Sequence, residues 1–336
     1  MSTFLGEPQM NKTRLKGGSL SSTYLCHPGI GAPFVRKEVS LIKNREYGFQ
    51  RWYSQLKRLQ RYNHMFPGVF PKLVGYGRED DQAYFDIEYV DGAVTVFEFL
   101  KETDNPKLID EMFTELILVM DSMHKVVLPS SDSSYQLYIY EEVEQKMLAC
   151  MQNARYQEFT SYSKIFFDGR SIVGLKNALD EYLEMFRQVF KQQNETFTHG
   201  NLTLENILYQ PKLKKITFID PYDENVIDSK LAEYSQILQS ANSLYELYNA
   251  AVVNIQGNQV SVDVNVPYGL EYFNNLFKSF MKQRLTPDEV KIVQLLEISQ
   301  FMRMLPFKME IDEDKMLFFY TLGSSLFHDL KLEMRE

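Results

Sequence analysis

Residues 205–221 read ENILYQPKLKKITFIDP, two short β-rich runs on either side of Gln210-Pro211. The flanking sequence carries helical periodicity, so this is an isolated turn-back of the chain, a hairpin set among helices. A hairpin fixes which of its ends meet. Asn206 precedes the first run and Asp220 follows the second, so antiparallel pairing brings an amide oxygen and a carboxylate to the same end. A hard cation such as Mg²⁺ is held by oxygen ligands of this kind, with phosphate and water completing the shell. Asn206 and Asp220 are therefore the candidate metal ligands.

The rest of the chain sorts into two parts. STYLC (22–26) and PFVRKEVS (33–40) are separated by HPGIGA and predict a β-hairpin. Residues 44–62 carry Phe49, Trp52, Leu56 and Leu59 at a spacing of three and four, a helix. PKLVGYG and AYFDIEYV follow as strands. From residue 92 the pattern turns helical. Asn105 caps a helix with Pro106 at its first position, and Thr286-Pro-Asp-Glu289 forms a capping box ahead of another. SIVGLKNALDEYLEMFRQVF (171–190) repeats Leu175, Leu179, Tyr182, Phe186 and Phe190 on one helical face. The alternation of Val260, Val262, Val264 and Val266 predicts one added strand. The expected architecture is α+β and bilobal: an N-lobe of antiparallel sheet with one helix over 1–91, and a mainly helical C-lobe over 92–336. A chain of 336 residues is long enough for a core in each.

Charge narrows the partners. The formal net charge of −9 argues against a general nucleic-acid binder. Residues 1–91 carry 13 Lys+Arg and 9 Asp+Glu, whereas the remainder carries 23 and 36. A basic front and an acidic back suit an anionic ligand held by the first lobe. No apolar run reaches membrane-spanning length, and MSTFLGEPQM lacks the basic and apolar regions of a leader; the expectation is a cytoplasmic protein with no membrane partner. Cys26 and Cys150 provide neither a disulfide framework nor metal-ligand spacing, and both are expected reduced. Oligomeric state is not legible here.

Upstream of the hairpin, FTHGNLTLENILY (197–209) places His199, Gly200 and Asn201 five residues before Asn206. Position 201 would face an acceptor hydroxyl. The agreement of three spacings, 199 to 201, 201 to 206 and 206 to 220, is what makes the pattern specific. HGNLTLENIL followed by FIDP resembles the catalytic loop and metal-binding motif of the aminoglycoside phosphotransferase and choline kinase family, small-molecule kinases with a protein-kinase-like fold. That family's pattern is His-Gly-Asp, four residues, Asn, then Ile-Asp-Pro or Ile-Asp-Trp. This chain departs from it at Asn201.

The resemblance extends along most of the chain and implies a set of roles. LKGGSLSSTYL (15–25) stands where a loop covers the nucleotide phosphates, with Gly17, Gly18, Ser19, Ser21 and Ser22 offering amide and hydroxyl donors; a plain Ser/Gly turn is the bland alternative. Lys37, closing FVRK, corresponds to the lysine on the phosphates, with Arg36 on the opposite face of its strand. Glu46, one turn before Phe49 on what reads as the apolar side of its helix, would pair with Lys37. The backbone of Glu88 and Val90 in DIEYVDG would meet the adenine edge. His199 reads as an orienter of the catalytic loop, and His124 as a core or capping histidine. Either Asp228 or Glu233 would support the site. ATP, with GTP as the alternative, and Mg²⁺ are the implied cofactors, and the acceptor is a small molecule bearing a hydroxyl.

Asn201 alters the expected chemistry. The family's aspartate accepts or orients the acceptor proton, and an amide cannot take that proton at neutral pH. General-base assistance is worth roughly 10²–10⁴ in rate, about 2.7–5.5 kcal/mol of barrier. Phosphoryl transfer depends mostly on positioning and charge neutralisation, so the amide slows transfer without preventing binding. Three readings stay open: a small-molecule kinase whose base has been changed, a pseudokinase that binds nucleotide as a regulatory module, and a kinase that uses Asn as an orienter.

Overall fold

The N-terminal sheet forms where β-branched and aromatic residues alternate. Its strands are β1 (Asn11–Leu15), β2 (Ser22–His27), β3 (Phe34–Ser40), β4 (Leu73–Glu79) and β5 (Gln82–Glu88), antiparallel in the order β1-β2-β3-β5-β4. Helix α1 (Arg45–Met65) connects β3 to β4 and packs on one face of the sheet. Its buried stripe runs through Trp52, Leu56, Leu59 and Tyr62, and Trp52 meets Phe85 of β5 with ring centroids 6.5 Å apart. Phe49, expected on this stripe, is instead 37% exposed and stacks on Tyr53. This computed structural model describes residues 10–15, 21–42, 45–128, 134–190, 194–222 and 225–334, without the side chains of 45–47.

Residues 89–93 lead to the second lobe. There β6 (Val94–Thr95), α2 (Val96–Glu102) and α3 (Pro106–His124) come first. Asn105 caps α3 through its side-chain oxygen, which accepts from the Lys107 amide at 3.1 Å. Next are β7 (Val127–Leu128), α4 (Ser134–Ile139), a π-helical turn (Tyr140–Glu144), α5 (Gln145–Cys150), α6 (Ala154–Ser161), β8 (Ile165–Phe167), β9 (Arg170–Ile172), α7 (Leu179–Val189) and β10 (Glu195–Thr196). The hairpin follows as β11 (Ile207–Gln210) and β12 (Lys215–Phe218), with β11 also pairing to β6. The chain then forms α8 (Lys230–Ala241), α9 (Tyr245–Ala250), β13 (Val253–Gln256), β14 (Gln259–Val262), α10 (Tyr268–Arg284), α11 (Pro287–Ile311) and α12 (Glu313–Glu333).

Helix α11 opens on the full Thr286–Glu289 capping box and packs against α5, α7, α8 and α12. Helix α12 buries Phe318, Phe319 and Tyr320 in succession, the mark of a helix enclosed on all sides. Cys26 and Cys150 are free and buried. No helix among the described residues is long and apolar enough to cross a membrane.

Two expectations are corrected. Residues 171–190 are not one helix: Ser171 and Ile172 belong to β9, a 3₁₀ turn spans Leu175–Ala178, and α7 begins at Leu179. The reason lies in α12, whose side chains capture the backbone donors there. Leu175 N–H donates to Ser324 Oγ at 2.8 Å and Lys176 N–H to Tyr320 Oη at 2.9 Å. The valine alternation continues past its strand, because β14 ends at Val262 and neither β13 nor β8 extends opposite Val264 and Val266. Residues 165–172 and 253–262 together form a four-stranded sheet that single-strand patterns do not disclose.

Candidate active site

The loop ahead of the hairpin is closed into a hydrogen-bonded ring. Asn201 N–H donates to His199 Nδ1 at 3.2 Å, and His199 Nε2 lies 2.6 Å from the Ile219 carbonyl. Ile219 N–H donates to the Asn206 carbonyl at 3.0 Å, and Asn206 Nδ2 returns to the Asn201 carbonyl at 2.8 Å. A backbone amide can only donate, so Nδ1 is the acceptor and the ring proton sits on Nε2. Burial is the first cause pushing the His199 pKa down, to about 4, against the opposing pull of Glu233 and the Ile219 carbonyl. His199 is therefore a neutral, fully buried link that ties positions 201 and 219 together, and it does not itself reach the cleft.

The ring settles how the metal candidates face. With Nδ2 of Asn206 committed to Asn201, the side-chain oxygen is the atom Asn206 could offer a cation. One residue beyond Ile219, Asp220 turns off the strand at φ 57, a left-handed conformation that aspartate tolerates better than most residues. Its Oδ1 is 2.9 Å from Lys37 Nζ. Burial pushes the Asp220 carboxyl up, but the charge and hydrogen bond of Lys37, with the charge of Arg51, outweigh it and leave the pKa below the ordinary carboxylate value. Asp220 is accordingly an anion in the neutral pH range.

Lys37 reaches this point because of strand alternation. It stands opposite Phe85 on the sheet face that packs on α1, while Arg36 stands opposite Asp86 on the other face. Arg36 makes a two-pronged bond to Asp86, 2.7 and 2.8 Å, and lies over the Tyr84 ring. The structure thus brings Lys37, Asp220, Asn206 and Asn201 together. The Asn201 side chain is half-buried and makes no hydrogen bond among the described residues.

The other site candidates are placed less completely. Gly17, Gly18 and Ser19 lie outside the described residues; Ser21 and Ser22 sit at the start of β2, where Ser22 pairs with Glu38. The side chain of Glu46, expected to pair with Lys37, also lies outside the described residues. Glu88 N–H is taken by the Lys72 carbonyl at 2.8 Å and so could not meet a base edge itself. Val90 accepts from Ala93 N–H at 3.3 Å, and its own N–H makes no hydrogen bond among the described residues.

Both acids that the sequence left as alternatives hold the loop. Glu233 Oε1 accepts from His199 N–H at 2.5 Å, and its Oε2 is 2.5 Å from His124 Nε2. Asp228 accepts from Thr198 Oγ1 at 2.5 Å and from Arg58 Nη2 at 2.9 Å. Gln236 bonds to the Leu202 amide and the Gly200 carbonyl at 2.7 and 2.9 Å. Gly200, at φ 86, has no room for a side chain: a Cβ would stand 2.2 Å from the Tyr222 carbonyl oxygen. Arg58 and Tyr62 were missed by sequence reading, although a charged residue falling on an apolar helical stripe was a usable signal.

The donor set suits a hard cation. One carboxylate and one amide oxygen, both hard, leave the remaining positions to phosphate and water, as Mg²⁺ prefers over an all-protein cage. The described residues hold no group of three or more His, Cys, Asp and Glu suited to a softer metal.

No family model matches this sequence, and neither does any curated protein. Solved structures do match. A candidate fructosamine-3-kinase from Haemophilus somnus 129PT aligns over 95% of this chain and 92% of its own, with TM-score 0.58 and 11% identity. The GDP complex of an aminoglycoside 2'-phosphotransferase-IIIa F108L mutant aligns over 98% and 93%, with TM-score 0.58 and 12% identity. The likeness shows the fold: the chain has the bilobal, protein-kinase-like architecture of these small-molecule kinases.

Proposed function

We propose that this chain is an ATP-dependent phosphotransferase that moves the γ-phosphoryl group to a hydroxyl of a small molecule, and that Asn201 leaves it slow or silent. The acceptor class is a sugar, an amino alcohol or a related metabolite. The carrying observation is the convergence of Lys37, Asp220, Asn206 and Asn201 from three separate stretches of sequence onto one bonded cluster. The GDP bound to one structural neighbour supports GTP as an alternative donor.

In this reading Lys37 holds the phosphates once nucleotide draws it from Asp220. Asn206 and Asp220 hold Mg²⁺, which neutralises phosphate charge when bound. The backbone of Glu88 and Val90 receives the base. Asn201 orients the acceptor hydroxyl through its amide. The bond from the γ-phosphorus to its bridging oxygen breaks as that to the acceptor oxygen forms, and the hydroxyl proton leaves to water, because the amide cannot accept it. Restoring a carboxylate by Asn201→Asp is expected to raise transfer by about 10²–10⁴. The experiment supplies γ-labelled ATP, Mg²⁺ and a pooled small-molecule extract to both proteins and counts labelled products.

The same amide supports a second reading, a nucleotide-binding module without transfer. It differs in one outcome: both proteins bind nucleotide and neither labels any acceptor.

A further inference from the structure

We infer that Arg58, on the N-lobe helix α1, is a positioning residue for the loop that carries Asn201 and Asn206, so that one helix sets both halves of the candidate site. The inference rests on the phosphotransfer reading for its functional meaning. Arg58 is 2% exposed and lies between Gln55 and Tyr62 at helical spacing, all three buried, where an apolar residue would be the simpler choice. A buried guanidinium persists only if its donors are used. Here they reach across to the C-lobe, to Asp228 at 2.9 Å and the His199 carbonyl at 3.4 Å.

One turn further, Tyr62 Oη donates to the Thr198 carbonyl at 2.7 Å. Two consecutive carbonyls just ahead of Gly200-Asn201 therefore accept from α1. Thr198 Oγ1 closes the set on Asp228. Gly200 fits directly against the arrangement, since a Cβ there would stand 2.6 Å from Arg58 Nη1. On its opposite side the loop rests on Glu233 and Gln236 of α8. The same α1 packs beneath β3 and β5, and its Gln55 and Leu59 line a small cavity shared with Phe85, Ile219 and Asp220. A swing of α1 away from the C-lobe would strand a buried charge and free the Thr198 carbonyl, while the His199 carbonyl would keep only Tyr222 N–H at 2.9 Å, so sheet, helix and loop hold one register.

The test separates positioning from bulk stability. Arg58→Met leaves the Asp228 carboxylate without its cation, whereas Arg58→Met/Asp228→Asn removes both charges and keeps an oxygen to accept from Thr198 Oγ1. In the double variant, amide exchange at Asn201, Leu202 and Leu204 is expected to quicken by about tenfold while β3 and β5 keep their protection. The Mg²⁺-dependent part of ATP affinity should fall by about tenfold, and Mg²⁺-free binding should stay unchanged. Tyr62→Phe, which deletes one hydroxyl of the same grip, gives the same split at smaller size. Unchanged loop exchange in a folded double variant, or equal losses with and without Mg²⁺, overturns the inference. If the unaltered protein shows no Mg²⁺-dependent binding, the phosphotransfer reading is what fails, and loop exchange still decides the role of Arg58.

Discussion

At the scale of single residues, His199 shows how a neutral imidazole organises a site it does not enter. Its folded pKa of about 4 lies below the ordinary 6.5, so between these values the unfolded chain binds the extra proton. The stability contribution is complete above pH 6.5 and disappears as pH falls to about 4, a span worth about 3 kcal/mol. Urea unfolding followed across this window should show that slope, and His199→Asn should flatten it. Gly200 makes a second prediction. Gly200→Ala meets both the left-handed backbone and the Tyr222 carbonyl, and is expected to cost about 3 kcal/mol or more in thermal or chemical unfolding. A variant as stable as the parent would mean that the loop path described here is wrong. At position 201 itself, a carboxylate in place of the amide changes the proton acceptor and leaves the backbone ring intact, because that ring uses only the main chain of Asn201.

At the scale of elements, what the sequence disclosed was local. The hairpin ends, the Thr286 cap and the 3.6-residue stripes are each written within a few consecutive turns, so spacing alone recovers them. Thr286→Ala should cost about 1 kcal/mol in unfolding free energy, since it removes the oxygen that accepts from Glu289 N–H. Contacts made across the chain were not legible in the same way. Spacing left Asp228 and Glu233 as alternatives, whereas the fold uses both, one toward Arg58 and Thr198, the other toward His199 and His124. The start of α7 was misread because Ser324 and Tyr320, far along the sequence, take the amides that would have begun a helix. Helix α1 was found by its period, but its polar stripe, Gln55 and Arg58, gains meaning only once the loop it grips is in place.

At the scale of the molecule, buried or half-buried ion pairs join the two lobes among the described residues, Arg58 with Asp228 and Lys37 with Asp220. The first fixes α1 to the catalytic loop. The second joins β3 to the end of the hairpin through Oδ1 of Asp220, and in the proposed function nucleotide competes for its lysine. Lys37→Met is therefore expected to weaken ATP binding both with and without Mg²⁺, whereas Asp220→Ala should remove the metal-dependent part alone; calorimetry distinguishes the two. That distinction also gives the most direct test of the account, a titration of ATP with and without Mg²⁺ into this protein and into Asp220→Ala. The account predicts saturable binding that Mg²⁺ strengthens in the parent and does not strengthen in the variant. Binding that Mg²⁺ enhances equally in both would contradict the placement of the metal–nucleotide site at Asn206 and Asp220.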